Sequence, residues 1–98
     1  MSGDVAALTL RIVTPGGALE PVACDSVRLT VCDDSRGKGG GSYGIRPGHT
    51  KALLALEAGP IRAFLAGGPV LSGQTGGGFA TVDGDTVTAV VETFETVL

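Results

Sequence analysis

The side chains that could do chemistry are few and widely spaced. The chain has one histidine, His49, and two cysteines, Cys24 and Cys32, with no Cys-x-x-Cys spacing. A zinc site is built from several such side chains held together, so the sequence supplies no metal centre. No cysteine or acid lies within a few residues of His49. A hydrogen-bonded turn or interface histidine therefore fits His49 better than a catalytic one.

Two patterns in the polar segment 33–42 resemble active-site motifs but are incomplete. Asp33 and Asp34 form a loop pair without a partner, whereas a small enzyme needs a nucleophile with a base or a pair of positioned carboxylates. The run Gly37-Lys38-Gly39 lacks the Ser or Thr that must follow the lysine of a phosphate-binding loop. The sequence therefore predicts no catalytic, metal or nucleotide site and no cofactor.

The composition predicts one soluble all-β domain. The 98 residues are enough for a single core, and 43% of them are apolar against 17% charged. Seventeen glycines and no tryptophan favour tight turns between short strands. A formal charge of -3 offers no basic surface for nucleic acid or an anionic membrane.

The apolar runs are far shorter than the roughly 20 residues needed to span a bilayer. The N-terminus has no basic region leading into an apolar one. We therefore expect an unexported chain without direct membrane insertion. Cys24 and Cys32 bracket what looks like one extended strand, so their Cα atoms would lie roughly 26 Å apart, beyond the reach of a disulfide. Free thiols in a reducing compartment are expected.

Alternating apolar residues place the strands that must carry any site. The pattern predicts strands over 8–13, 24–32, 61–66 and 86–91. Segment 33–42 is polar and glycine-rich and predicts a surface loop, segment 51–56 is ambiguous between strand and helical turn, and 92–98 looks like a frayed end. The count of eight to ten short strands, separated by turn residues such as Asp83-Gly84, is typical of a β-sandwich or small barrel. The expected domain spans 1–98, with its core at 7–92.

Five segments, in order, resemble the N-terminal domain of ATP synthase epsilon subunits. They are LTLRIVTP at 8–15, VRLTV at 27–31, the signature turn GIRPGH at 44–49, LLAL with GPIR in 53–62, and GGFATV with DTVTAVVE in 77–92. The resemblance covers about 85 residues. It implies a ten-stranded β-sandwich of two packed five-stranded sheets.

The resemblance also implies a function. Members of the family are non-catalytic rotor subunits in the central stalk of a proton- or sodium-translocating ATP synthase, and they bind the gamma subunit and the c-ring. The implied location is peripheral, on the cytoplasmic face of the bacterial inner membrane. This sequence departs from the family at the longer loop 33–42, at Thr50-Lys51 and at Thr81, and it ends where most members begin a C-terminal helical hairpin. Inhibition of hydrolysis and ATP binding, which belong to that hairpin, do not transfer.

The position of each residue in the motifs predicts an interface with gamma and the c-ring. Its predicted residues are Thr14, Ser42, Tyr43, Pro47, Gly48, His49 and Leu54. Pro47 and Gly48 could instead serve only to shape the turn, and Leu54 could instead pack in the core. We also expect one sheet face or edge to expose aliphatic side chains.

Two other classes of function stay open at this point. A free-standing β-sandwich that binds a sugar or a peptide commonly exposes aromatic side chains, and this chain has only Tyr43, Phe64, Phe79 and Phe94. A small enzyme would need a nucleophile with a base or a pair of positioned carboxylates, and the sequence indicates neither. Binding to purified gamma and c-ring separates both classes from a rotor subunit.

Overall fold

The computed structural model describes residues 7–32, 41–48 and 51–97. These residues form eleven strands and no helix. The strands are β1 (Leu8–Thr14), β2 (Gly17–Ala18), β3 (Val22–Cys24), β4 (Ser26–Val31), β5 (Gly41–Ile45), β6 (Ala52–Leu56), β7 (Gly59–Leu65), β8 (Gly68–Thr75), β9 (Gly78–Asp83), β10 (Thr86–Val91) and β11 (Phe94–Thr96). The all-β fold expected from the sequence is confirmed. The count passes ten because short two- and three-residue segments pair as strands.

The strands form two layers of a sandwich. In one layer β6, β9, β10 and β1 are neighbours in that order, and β2 and β3 pair with β1. In the other layer β11, β8, β7 and β4 are neighbours, and β5 pairs with the remaining edge of β4. A single pair, Val31 with Leu56, joins β4 to β6 and so links the layers. The pairing of β1 with β10 is parallel, whereas the other strand pairs are antiparallel.

The core lies between the layers and is aliphatic. Alternate residues of the longer strands point into it, as Leu8, Leu10 and Ile12 do in β1. The other layer contributes Val27 and Leu29 of β4 to the same cluster. Close packing of such side chains makes the sandwich stiff.

The glycines at the start of β9 mark a close backbone approach, as their position beside a strand predicts. Gly78 has a φ of 148°, and a Cβ atom there would overlap the carbonyl oxygen of Val90 in β10. Only glycine accommodates both conditions without strain. Asp83-Gly84 makes the expected tight hairpin, since Asp83 pairs with Thr86 and Gly84 has a φ of 65°.

Three expectations from the sequence need correction. The predicted strand over 24–32 is interrupted at Asp25, whose backbone N–H donates to the carbonyl oxygen of Phe64 at 2.7 Å, so β3 and β4 belong to different layers. The predicted loop 33–42 ends two residues earlier than expected, because Gly41 and Ser42 belong to β5 and pair with Val31 and Thr30. The rest of that loop, 33–40, lies outside the described residues.

The third correction concerns the C-terminal end, which is not frayed. Residues Phe94–Thr96 pair with β8 as β11, so the ordered domain runs past the expected boundary at residue 92. Phe94 packs against the core, and its ring occupies the space that a side chain at Gly73 would fill. The ambiguous segment 51–56 is also settled, since it forms strand β6 between β4 and β9.

Candidate functional site

The outward side of β6 and β9 exposes large apolar side chains. Leu53 is 72% exposed and Phe79 is 45% exposed. The register pairs Ala55 with Phe79 and Leu53 with Thr81, so all four side chains point away from the core. We call this surface, defined by Leu53, Ala55 and Phe79, the β6–β9 apolar face.

The β6–β9 apolar face continues across its layer. Phe79 pairs with Val90 of β10, and Val90 pairs with Val13 of β1, so one outward row runs Ala55, Phe79, Val90, Val13. Val90 and Val13 are half-buried. A depression of about 440 Å³ is lined by Leu53, Leu54, Ala55 and Phe79. A contiguous exposed apolar patch on a soluble domain is typical of an interaction surface.

Four of the predicted interface residues lie along β5 and the turn that follows it. Ser42 and Gly48 are exposed, as is Pro47, while Tyr43 is half-buried and packs against the core. Gly48 has a φ of 84°, the value that the third residue of a type II turn requires. His49 lies outside the described residues.

The other two predicted residues lie in the opposite layer. Thr14 ends β1, and its hydroxyl donates to the carbonyl oxygen of Gly17 at 3.1 Å, which fastens the hairpin to β2. Leu54 is half-buried and packs against the core from β6. The structure therefore gathers Ser42, Tyr43 and the turn at one edge, and separates them from Thr14 and Leu54. Their roles as contacts stay predictions.

The predicted interface did not include Leu53, Ala55 or Phe79. The outward direction of residues in 52–56 can be predicted only if the segment is known to be a strand. The five-residue apolar run does not distinguish a strand from a helical turn. Phe79 follows three glycines, and the facing of its side chain follows from the register with β6 and β10. The one signal available was the alternation of Phe79, Thr81 and Asp83 with the buried Ala80 and Val82.

One of the described thiols, that of Cys24, is buried in the core. Burial raises the pKa of the Cys24 thiol, and the charge of Asp25 beside it raises it further. Cys24 and Cys32 are both free thiols, the first buried and the second exposed. Within residues 7–32, 41–48 and 51–97, no group of three His, Cys, Asp or Glu side chains could hold a metal ion. The same residues include no helix able to cross a membrane.

Fold and site together define the class: a rigid β-sandwich domain with an exposed apolar face and no described cluster of catalytic groups. Residues 7–97 match the sequence profile of the ATP synthase delta/epsilon chain β-sandwich domain. This chain therefore belongs to that family, as its motifs indicated.

Relatives of known sequence agree. The chain is 38% identical over 88 residues to the ATP synthase epsilon chain of Synechococcus sp. (strain WH7803), a match that covers 90% of this chain and 59% of that one. It is 33% identical over 87 residues to the ATP synthase epsilon chain of Desulfitobacterium hafniense (strain Y51), covering 89% and 60%. The chain thus spans about three-fifths of the length of these relatives.

Solved structures share the fold. A chain in the mitochondrial ATP synthase of Euglena gracilis superposes with a TM-score of 0.72 at 20% identity, over 98% of this chain and 57% of that chain. A chain in the central stalk and c-ring structure of the Tetrahymena thermophila mitochondrial ATP synthase gives a TM-score of 0.67 at 14% identity, over 94% and 68%. At these identities the similarity concerns the fold.

Proposed function

We propose that this chain is a non-catalytic rotor subunit of an ion-translocating ATP synthase. It binds the gamma subunit and the c-ring, and it couples the flow of protons or sodium ions to ATP synthesis at the cytoplasmic face of the bacterial inner membrane. Support comes from the family match, from relatives named ATP synthase epsilon chain, and from the shared fold of chains in ATP synthase structures. The work of the subunit is mechanical, for which a close-packed sandwich is suited.

The observation that carries this proposal is the β6–β9 apolar face. Fully burying a leucine or phenylalanine side chain is worth about 1.5–3 kcal/mol. Leu53 is 72% exposed and Phe79 is 45% exposed, so covering both would contribute on the order of 2–3 kcal/mol to an interface. We assign this face to the gamma subunit, with Leu54 behind it and Thr14 at the far end of the same layer.

The edge formed by β5 and the following turn lies in the other layer and is polar. Ser42, Pro47 and Gly48 are exposed there. We assign these residues, with Tyr43 and His49, to further rotor contacts with both gamma and the c-ring. Polar loop contacts of this kind set the orientation of a complex more than its affinity.

Calorimetry of the chain with recombinant gamma subunit tests the proposal. We expect one-to-one binding that Leu53→Ser weakens about tenfold, because the loss of about 1–2 kcal/mol of burial corresponds to roughly that factor. His49→Ala should also weaken binding. The matched control is Val97→Ser, which removes a 61% exposed apolar side chain from a different part of the surface.

Leu53 and Val97 both point into solvent, so both variants should fold with unchanged melting temperature. Equal weakening by the two serine variants would place the gamma contact elsewhere. Absence of binding by the unaltered chain would refute the rotor assignment.

A further inference from the structure

Three exposed arginines lie on the outward side of the second layer, in or beside β4, β5 and β7. The register of β4 places Arg28 directly opposite Arg62 of β7 on one side and opposite Gly44 of β5 on the other. Arg46 follows directly after β5, and it lines with Arg28 a depression of about 230 Å³. A second depression of about 260 Å³ is lined by both Arg28 and Arg62. We call the surface defined by Arg28, Arg46 and Arg62 the arginine groove.

The arginines have no anionic partner in the described part of the chain. The ion pair found there joins Lys51 to Asp83 at 3.8 Å in the other layer, and none within 4.0 Å involves Arg28, Arg46 or Arg62. Asp25, which lines a neighbouring depression with Arg46, forms no ion pair with it. Like charges directly opposite each other in a sheet are destabilising. An arrangement of this kind is typical of a surface that receives anionic groups from a partner.

The groove borders an edge of β5 to which no described strand is paired. Among the described strands β5 pairs with β4 alone, so its other edge has no neighbouring strand. Gly41, Ser42 and Gly44 of β5 are exposed. An edge with accessible backbone N–H and C=O groups is a template for an added strand.

The side chains around Gly44 leave a passage from this edge to Arg28. A Cβ atom at Gly44 would meet nothing within 4 Å, so the surface between the edge of β5 and Arg28 is open. The Arg28 guanidinium leans toward that edge, since its Nη1 donates to the hydroxyl of Ser42 at 3.1 Å. An anionic side chain arriving along β5 would therefore meet Arg28 across Gly44 and Arg46 beside it.

The spacing of the arginines fits an extended peptide. Side chains on one face of a strand recur about every 6.6–6.8 Å, and adjacent strands lie about 4.8 Å apart. A strand added to β5 would place two alternate side chains level with Arg46 and with Gly44, and the second would reach over Gly44 to Arg28. Glutamate is long enough for this reach and accepts a bidentate pair from arginine.

We propose that the β5 edge and the arginine groove form a docking site for an acidic segment of a partner protein, bound as an added strand with alternate carboxylates facing Arg46 and Arg28. Backbone hydrogen bonds to β5 supply part of the affinity, and the arginines select acidic side chains. The site is on the opposite outward face from the β6–β9 apolar face. It shares the β5 edge with the proposed rotor contacts of Ser42 and Tyr43, but its test uses a peptide and does not depend on the assignment of the β6–β9 apolar face to the gamma subunit.

Fluorescence anisotropy with the whole chain tests the proposal. The probe is a fluorescein-labelled peptide in which glutamate and threonine alternate. We expect saturable binding that weakens about tenfold when glutamine replaces glutamate in the probe, and about five- to tenfold in Arg28→Gln. Gly44→Thr should also weaken binding, because its side chain closes the passage while its backbone conformation stays allowed. Arg11→Gln, which removes an exposed arginine from β1 in the other layer, is the matched control and should leave binding unchanged.

Two further probes separate this mode from simple charge attraction. Methylation of alternate backbone nitrogens in the acidic peptide should abolish binding, because an added strand needs those N–H groups. Inorganic triphosphate should compete weakly. The proposal fails if the acidic peptide does not bind, if the methylated peptide binds equally well, if triphosphate binds more tightly than the peptide, or if Arg11→Gln weakens binding as much as Arg28→Gln.

Discussion

Replacing Gly78 by alanine should destabilise the sandwich strongly, because this residue lets β9 approach β10. Its φ of 148° lies in a region that costs an L-residue about 1–3 kcal/mol. The added Cβ would also overlap the carbonyl oxygen of Val90, and that oxygen belongs to backbone held in the β9–β10 pairing. Strain and displacement together should lower the free energy of unfolding by about 3 kcal/mol.

Urea denaturation followed by circular dichroism measures this change. For a domain of this size each kcal/mol corresponds to about 4–8 °C in melting temperature, so the variant should melt roughly 12–24 °C lower. The control is Gly67→Ala, where no positive φ is required and a Cβ would meet nothing within 4 Å. That variant should change stability by at most about 0.5 kcal/mol. A Gly78→Ala chain as stable as the Gly67→Ala chain would show that β9 does not approach β10 in this way.

Three further outcomes follow from other parts of the structure. Phe94→Ala should lower the free energy of unfolding by about 2 kcal/mol in the same urea assay, since the ring packs against the core beside Gly73; no loss of stability would mean that β11 is not docked. Burial raises the pKa of Cys24 in the folded chain above its ordinary value of 9.0. Because the thiol of the unfolded chain ionises first, the stability of the folded chain should fall as the pH rises above about 9. In Cys24→Ala, melting curves recorded from pH 7 to 10 should show a smaller decrease of melting temperature with pH. Lys51→Gln should leave the melting temperature unchanged, because the ion pair with Asp83 joins two exposed side chains, and a clear drop would contradict that.

Local patterns predicted much of the fold. The alternation of apolar residues in 8–13 and 86–91 predicted β1 and β10, because one side of each strand faces an aliphatic core. Asp83-Gly84 predicted the hairpin between β9 and β10, because the turn itself requires a residue with positive φ. These features depend on neighbours in sequence, so the sequence alone contains the information.

Features that depend on distant residues were missed. Strand β11 looked like a frayed end, because its docking relies on the space above Gly73, about twenty residues earlier. The break at Asp25 was hidden within a regular alternation, since it arises from the change of layer between β3 and β4. The β6–β9 apolar face could not be predicted from the sequence for the same reason, because the outward direction of Leu53 follows from its pairing with Thr81.

Site-specific photo-crosslinking tests the central claim most directly. A benzophenone side chain placed at Leu53 in the whole chain, and a second at Val97 as the control, would be irradiated in the presence of gamma subunit. If the β6–β9 apolar face is the docking surface, the label at position 53 should form a covalent adduct with gamma, and the label at position 97 should not. Binding to gamma with no adduct from position 53, or with equal adducts from both positions, would contradict the account.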